Sequence, residues 1–155
     1  GRENLELMAR LRGYGKDAAR RITDDLVDRF DIGEFRDKLV KIISGGQRRR
    51  VDLAASLVTQ PELLVPDEPT TGLDPVTSAV IDELMIRMRE KLGVTSVVIT
   101  HDMRSAYSVG TRIAMLYEGK VRQVGSVDEI KHTNDPVVRQ FIEGKPSLDA
   151  AMVGV

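Results

Sequence analysis

The sequence predicts an α/β protein: a helical subdomain over residues 1–60, a parallel-sheet core over residues 61–144 that ends in a β-hairpin with short helices, and a tail over residues 145–155. Apolar residues recur at helical spacing up to residue 60. From Glu62 onward, short apolar runs alternate with helical stretches, which is typical of parallel strands joined by helices. Two alternating runs around Glu118 and Gly119 indicate the hairpin.

The first half of the chain reads as helices. Leu5, Met8 and Leu11 predict one helix and Ile22 to Phe30 a second, with turns near residues 13–15 and 32–33. In Ser44-Gly45-Gly46-Gln47 the serine and glutamine have the spacing of a capping box, which predicts the start of a third helix that continues through Leu57.

The second half predicts a strand, a helix and a strand. Residues 63–65 and 94–99 are expected to be buried strands. The helix between them runs over residues 75–92, with Asp74 as N-cap and Val76, Val80, Leu84 and Met88 on one face. After the hairpin, Ser126 and Glu129 predict a capping box, and Asp135-Pro136 predicts the start of a last helix through Phe141.

Composition limits the function classes. The 155 residues carry 23 basic and 24 acidic side chains, a net charge of -1, so no overall field attracts the chain to nucleic acid. Cysteine is absent, which excludes disulfides and thiolate metal sites. No apolar run approaches the roughly 20 residues that cross a bilayer. The sequence therefore predicts a protein that works at a membrane, if at all, through a partner.

Residues 44–47 are the first candidate site. A bare helix N-terminus with a hydroxyl binds anions, and glycine in the first turn lets a ligand approach the backbone. Taken alone, the pattern is more often only a helix cap. The basic residues 48–50 add positive charge, although most of that run is expected to be a solvated helix face.

Two further candidates follow the predicted strands. Asp67 and Glu68 come after the first strand, where one carboxylate can hold Mg²⁺ and the other can activate a water. His101 ends the second strand and Asp102 is placed to cap the next helix. Alone, an acidic pair is usually a turn and such a histidine is more often structural. Ligands bind at the carboxyl ends of parallel strands. Asp67, Glu68 and His101 together therefore predict a phosphate-handling site.

The order and spacing of these motifs resemble the ATP-binding subunits of ABC transporters. The matching stretches are "ISGGQRRRVDLAASLVTQPELLVPDEPTTGLDP" and "VTSVVITHDM". The resemblance implies a partial P-loop NTPase fold, with Ser44, Gly45, Gly46 and Gln47 as the signature motif that grips ATP held by the opposite subunit. It also implies that Asp67 supports Mg²⁺, that Glu68 is the general base, that Asp74 belongs to the loop linking two sites across a dimer, and that His101 is the switch histidine.

At a finer level, residues 1–74 resemble drug-exporter ATPases of the daunorubicin-resistance type. Residues from Val76 onward resemble Mla/Mce-type lipid-transport ATPases. The chain is then a natural mosaic or an assembly of two parents. Its partners would be a transmembrane permease and a second ATP-binding subunit, at the cytoplasmic face of the plasma membrane.

Two departures qualify the resemblance. No G-x-x-x-x-G-K-[ST] phosphate loop occurs in the sequence, so we expect activity to need a missing N-terminal half and the isolated chain to be inactive. Because the missing first strands would leave an unpaired apolar edge, we also expect poor solubility or obligate association of the isolated chain. Pro66 stands directly before Asp67, where proline cannot donate a strand hydrogen bond, and it is expected to displace the acidic pair and reduce turnover.

Three functions compete. The first is the C-terminal part of a transport ATPase that couples ATP hydrolysis to the movement of lipid or hydrophobic drug. The second is a non-catalytic fragment that associates with intact subunits. The third is an ABC-type head of a DNA-maintenance ATPase. The near-neutral charge and the absence of heptads disfavour the last, and no nucleic-acid partner is expected.

Overall fold

A computed structural model describes residues 1–145 and divides the chain into two compact units, residues 1–101 and the part from residue 102 onward. The predicted tail from residue 146 lies outside the described residues. The predicted boundary at residue 60 is a finer division than these two units and stays a prediction. The first unit contains α1 (Arg2–Leu11), α2 (Lys16–Arg29), 3₁₀ turns at Gly33–Phe35 and Val40–Ile42, α3 (Gly45–Ser56), β1 (Leu63–Leu64), α4 (Pro75–Leu92) and β2 (Thr95–Ser96).

Helix α1 packs on α2 and on α3, and the helices predicted by the periodicity, α1 and α2, are both present. The buried residues of α1 are Leu5 and Ala9, four apart on one face, whereas Met8 and Leu11 are exposed. The helix predicted from the spacing of Leu5, Met8 and Leu11 is confirmed, since α1 runs over Arg2–Leu11. Phe30 and Ile32, which follow α2 in the chain, are also buried.

Helix α4 begins and ends where its sequence predicts. Asp74 accepts hydrogen bonds from the amides of Val76 and Thr77, Pro75 occupies the first turn, and Gly93 ends the helix in the left-handed region at φ 64°. The buried apolar face consists of Ile81, Leu84, Met85 and Met88. Of the four residues predicted to share one face, Leu84 and Met88 are buried, whereas Val76 lies in the first turn and is 75% exposed.

Strands β1 and β2 pair in parallel, with Leu63 opposite Thr95, and the pairing continues to an isolated bridge between Asp67 and Ile99. Their expected burial was wrong. Leu64 is buried, but the apolar residues on the alternate positions are about half exposed: Leu63, Val65, Val97 and Ile99. Within residues 1–145 this sheet has two strands, and the exposure of these alternate residues shows that one face of the pair is uncovered.

Pro66 lies inside this parallel pairing. Val97 donates its amide to the Leu64 carbonyl and Ile99 donates to the Pro66 carbonyl. The reciprocal bond from residue 66 to the Val97 carbonyl cannot form, because proline has no amide hydrogen. The register is nevertheless the same before and after Pro66. The proline therefore removes one hydrogen bond without shifting Asp67 along its partner strand.

The second unit contains α5 (Met103–Val109), the antiparallel hairpin of β3 (Arg112–Tyr117) and β4 (Lys120–Ser126), α6 (Val127–Lys131) and α7 (Pro136–Ile142). The hairpin, the capping box of α6 and the Asp135 cap of α7 are confirmed. Across residues 1–145, no helix combines the length and the apolar character needed to cross a membrane.

Candidate functional site

The start of α3 is fixed by a complete capping box. The Gln47 amide donates to Ser44 Oγ over 3.2 Å, and the Ser44 amide donates to Gln47 Oε1 over 3.1 Å. Ser44 and Gly45 are exposed and Gln47 is half-buried. Because the first amides of a helix have no partner within the helix, this end is suited to an anion.

Gly46 has a packing reason of its own. A Cβ placed on Gly46 would lie 2.2 Å from Cγ2 of Thr77, and one on Gly45 would lie 3.2 Å from Cδ2 of Leu73. Thr77 cannot turn away freely, since its hydroxyl donates to the Asp74 carboxylate. Helix α3 therefore meets the capped start of α4 at Gly46, where a larger residue would press against Thr77.

Asp74 is committed to this cap. Its carboxylate accepts from the Val76 and Thr77 amides, each over 3.0 Å, and from the Thr77 hydroxyl. The Thr77 hydrogen bonds lower the pKa of Asp74, so the ionised capping form is favoured. The predicted cap is confirmed, while a nucleotide-binding role for Asp74 stays a prediction.

Glu68 has an unusual backbone conformation with hydrogen bonds on every polar group. Its φ is 47°, in the left-handed region, which costs a non-glycine residue about 1–2 kcal/mol. Its amide donates to the Ile99 carbonyl over 2.9 Å, and its carbonyl accepts from the Thr71 amide and from Arg49. Surrounding contacts thus hold the residue in a conformation that it would not adopt alone.

The Glu68 carboxylate lies between His101 and Thr71. Oε1 is 2.7 Å from His101 Nδ1, and Oε2 accepts from the Thr71 hydroxyl over 2.7 Å. These two hydrogen bonds, that from His101 first, lower the pKa of Glu68. The side chain of His101 is 70% exposed and that of Glu68 is 33% exposed, so both remain open to a ligand. The predicted base and switch histidine are therefore in direct contact.

This contact determines what the histidine can offer. An ionised carboxylate only accepts, so Nδ1 of His101 must carry the hydrogen that it shares with Glu68. In the neutral ring the other nitrogen, Nε2, is then an acceptor and repels a phosphate oxygen. Only the doubly protonated ring donates to Glu68 and to a phosphate at the same time.

Asp67 directly precedes Glu68 at the end of the paired strands. Its side chain is exposed, and its residue pairs with Ile99 through the backbone. Among residues 1–145 there is no group of three His, Cys, Asp or Glu side chains placed to hold a metal ion. A single open carboxylate still fits Mg²⁺, which is usually bound through one or two carboxylates together with substrate phosphates and water.

Two contributors to the site escaped the sequence-based prediction. Arg49 donates from its NH2 group to the Glu68 carbonyl over 3.1 Å, although its basic run was expected to be mostly a solvated face. Thr71 holds Glu68 Oε2. The sequence carried no sign of the Arg49 contact. Thr71 could have been suspected, since a threonine three residues after a carboxylate often closes a turn.

Comparison with known proteins places these motifs in a family context. Residues 2–71 match the family described as "ABC transporter". The chain is 42% identical over 131 residues to the daunorubicin/doxorubicin resistance ATP-binding protein DrrA of Streptomyces peucetius, an alignment covering 84% of this chain and 39% of that protein. It is 32% identical over 154 residues to the methionine import ATP-binding protein MetN of Streptococcus pneumoniae, covering 99% of this chain and 44% of that protein.

Solved structures of ABC ATP-binding proteins also match the chain. The structure of cbiO1 from Clostridium perfringens, part of the ABC transporter complex cbiONQ, matches with a TM-score of 0.77 and 28% identity over 97% of this chain and 59% of that one. The dimeric ATP-binding cassette MJ0796, bound to ADP and Pi, matches with a TM-score of 0.68 and 29% identity over 81% of this chain and 56% of that one.

The sequence predicts that residues 1–74 resemble drug-exporter ATPases and that the later residues resemble lipid-transport ATPases, and these matches bear on that division. The chain spans about two fifths of the length of the DrrA proteins that it matches. Their alignments run over 131 residues and so extend well beyond residue 74, where the daunorubicin-type likeness was expected to end. The Mla/Mce-type likeness of the later part stays a prediction.

Proposed function

The chain is related in sequence and fold to the ATP-binding subunits of ABC transporters, and on this premise we propose that it supplies the signature half of an ATP hydrolysis site. The 2.7 Å contact between Glu68 and His101, at the carboxyl ends of paired parallel strands, is the observation that carries the proposal. Ligand chemistry in α/β proteins concentrates at this position of a sheet.

Residues 44–47 would contact ATP through the free amides at the start of α3 and the Ser44 hydroxyl. The nucleotide would be held by another chain or segment that provides the phosphate loop, because no such loop occurs in the 155 residues. Asp67 would hold Mg²⁺ together with water and phosphate oxygens. When bound, the metal neutralises charge on the phosphates.

Glu68 would accept the proton of the attacking water. Its two hydrogen bonds weaken it as a base, since they favour the carboxylate over its protonated form. Release of either bond during nucleotide binding raises its basicity. A His101 ring that turned from Glu68 to the γ-phosphate would therefore free the base and stabilise the phosphate charge together.

We further propose that hydrolysis is coupled to a transmembrane permease and takes place at a dimer interface, on the cytoplasmic face of the membrane. The names of the relatives support transport, but they include both a drug-resistance protein and an importer. Hydrophobic drug or lipid is the proposed cargo, the first from the DrrA relatives and the second from the predicted likeness of the later residues.

A second candidate is a non-catalytic chain that associates with intact ATP-binding subunits. The lack of a G-x-x-x-x-G-K-[ST] sequence favours it. Both candidates predict association with a nucleotide-holding partner, and they differ in whether Glu68 contributes to turnover.

Substitution of Glu68 decides between them. In the ATPase assembled from this chain and its nucleotide-holding partner, Glu68→Gln should lower kcat by about 10²–10⁴-fold, with nucleotide affinity retained. Glu62→Gln, at an exposed glutamate outside the site, is the matched control. Equal turnover of the two variants would remove Glu68 from the mechanism and favour the non-catalytic role.

A further inference from the structure

We propose that Arg49 is a positioning residue that ties the signature helix α3 to the backbone of Glu68. Its catalytic consequence rests on the proposed role of Glu68, whereas the mechanical link rests on geometry alone. The link joins the part of the site expected to contact one nucleotide to the base expected to act on another.

The contact itself is specific. The Arg49 guanidinium donates to the Glu68 carbonyl over 3.1 Å in a partly buried position. A hydrogen bond from a charged donor is stronger than one between neutral groups, and partial burial limits competition from water. Nineteen residues separate the two in the chain, so the bond joins two distinct elements.

The neighbouring arginines act elsewhere. Arg48 donates to the Val40 carbonyl over 3.4 Å, and Arg50 donates to the Asp31 carbonyl over 3.3 Å, both at exposed positions. Successive helical residues point about 100° apart, which explains why three adjacent arginines reach three different segments. Among the three, Arg49 alone reaches the acidic pair after β1.

The backbone conformation of Glu68 depends on contacts such as the one from Arg49. Its positive φ is disfavoured for glutamate and persists only where surrounding bonds hold it. The Thr71 amide shares the same carbonyl over 3.3 Å, and the Ile99 carbonyl holds the Glu68 amide. Arg49 is the contributor that comes from α3. A movement of α3 therefore changes the hold on the Glu68 backbone, and with it the direction of the carboxylate.

The first test needs no nucleotide. In the full chain, Arg49→Gln should speed hydrogen exchange of the Glu68 amide by about tenfold, because the Glu68 backbone loses one of the contacts that hold it. Arg48→Gln removes the same charge from the same run and should leave this exchange rate unchanged. Equal effects of the two variants would overturn the proposal.

The second test separates positioning from charge. In the assembled ATPase, Arg49→Gln should lower kcat about tenfold with KM for ATP unchanged, and Arg49→Lys should recover part of the loss. A rise in KM alone would show that Arg49 acts as phosphate-binding charge and would overturn the positioning role. If Arg49→Gln fails to fold, Arg49→Lys is compared with Arg48→Lys by the same exchange measurement.

The outcomes distinguish this proposal from the proposed function. If Glu68→Gln keeps full turnover, the role of Glu68 as base fails, while the exchange result still decides whether Arg49 holds its backbone. If Glu68→Gln is inactive and Arg49→Gln matches Arg48→Gln in every readout, the Arg49 proposal alone fails.

Discussion

The first structural prediction concerns Gly46, because two explanations compete for why a glycine is needed at this position. The residue is glycine either to let a nucleotide approach or to let α3 pack on the start of α4. The structure favours packing, since an alanine Cβ would lie 2.2 Å from Thr77 Cγ2, well inside the roughly 3.5–4.0 Å of an ordinary carbon contact. We predict that Gly46→Ala destabilises the chain without any nucleotide present.

The magnitude follows from two opposing effects. Overpacking of a close contact costs about 1–3 kcal/mol, whereas alanine is favoured over glycine inside a helix by up to about 1 kcal/mol. Gly46→Ala should therefore lower the free energy of unfolding by about 0–3 kcal/mol. Thr77→Ser removes Cγ2 and keeps the hydroxyl that binds Asp74, so in that background the same substitution should become neutral or stabilising.

A double-mutant cycle measured by urea unfolding of the 155-residue chain checks this. The expected coupling between positions 46 and 77 is about 1–3 kcal/mol. Gly45→Ala is the matched control, because its Cβ would meet only the flexible end of Leu73 at 3.2 Å. Equal destabilisation by Gly46→Ala in both backgrounds would refute the packing explanation.

Other substitutions test separate contacts. Thr71→Val removes the hydroxyl bound to Glu68 and should raise the pKa of that carboxyl, measured by ¹³C NMR. Because the contact lowers the pKa in the folded chain, its stabilisation is present above the ordinary glutamate pKa and is lost as pH falls through the folded pKa. An unchanged pKa in the variant would contradict this. Pro66→Leu restores the missing amide to the Val97 carbonyl, worth about 1 kcal/mol, and gives up about 0.4–1 kcal/mol of proline's chain stiffening, so the free energy of unfolding should change little. Turnover of the assembled ATPase should also change little, because the proline does not shift Asp67; a marked rise in rate would contradict this. Asp74→Ala should lower the melting temperature by removing the α4 cap, whereas Asp74→Asn should nearly preserve it, and equal melting of the two would exclude capping.

Features determined by neighbouring residues were predicted well. Capping boxes at Ser44 and Ser126 and the Asp74 cap need only residues two or three positions apart, so their spacing is visible in the sequence. The hairpin at Glu118-Gly119 likewise depends on its own turn, where both residues have positive φ. Local chemistry determines such features before any tertiary packing exists.

Features that depend on distant contacts were missed. The direction of Arg49 toward Glu68, and the positive φ of Glu68 itself, have no local signature, because glutamate does not favour that conformation. The exposure of Val65 and Val97 was also missed, since apolar composition predicts burial only when other elements cover the strand. Sequence reasoning named Glu68 and His101, but their 2.7 Å contact required the fold.

The most direct test is a calorimetric titration of the isolated 155-residue chain with Mg-ATP. The titration is repeated after addition of a second ABC ATP-binding subunit, which carries an intact phosphate loop but has its own signature serine replaced. We predict no tight binding by the chain alone. With the second subunit present, ATP should drive association of the two, and Ser44→Arg should abolish it by filling the start of α3. Tight Mg-ATP binding by the chain alone, or an association indifferent to ATP, would contradict the claim that this chain completes a nucleotide site held elsewhere.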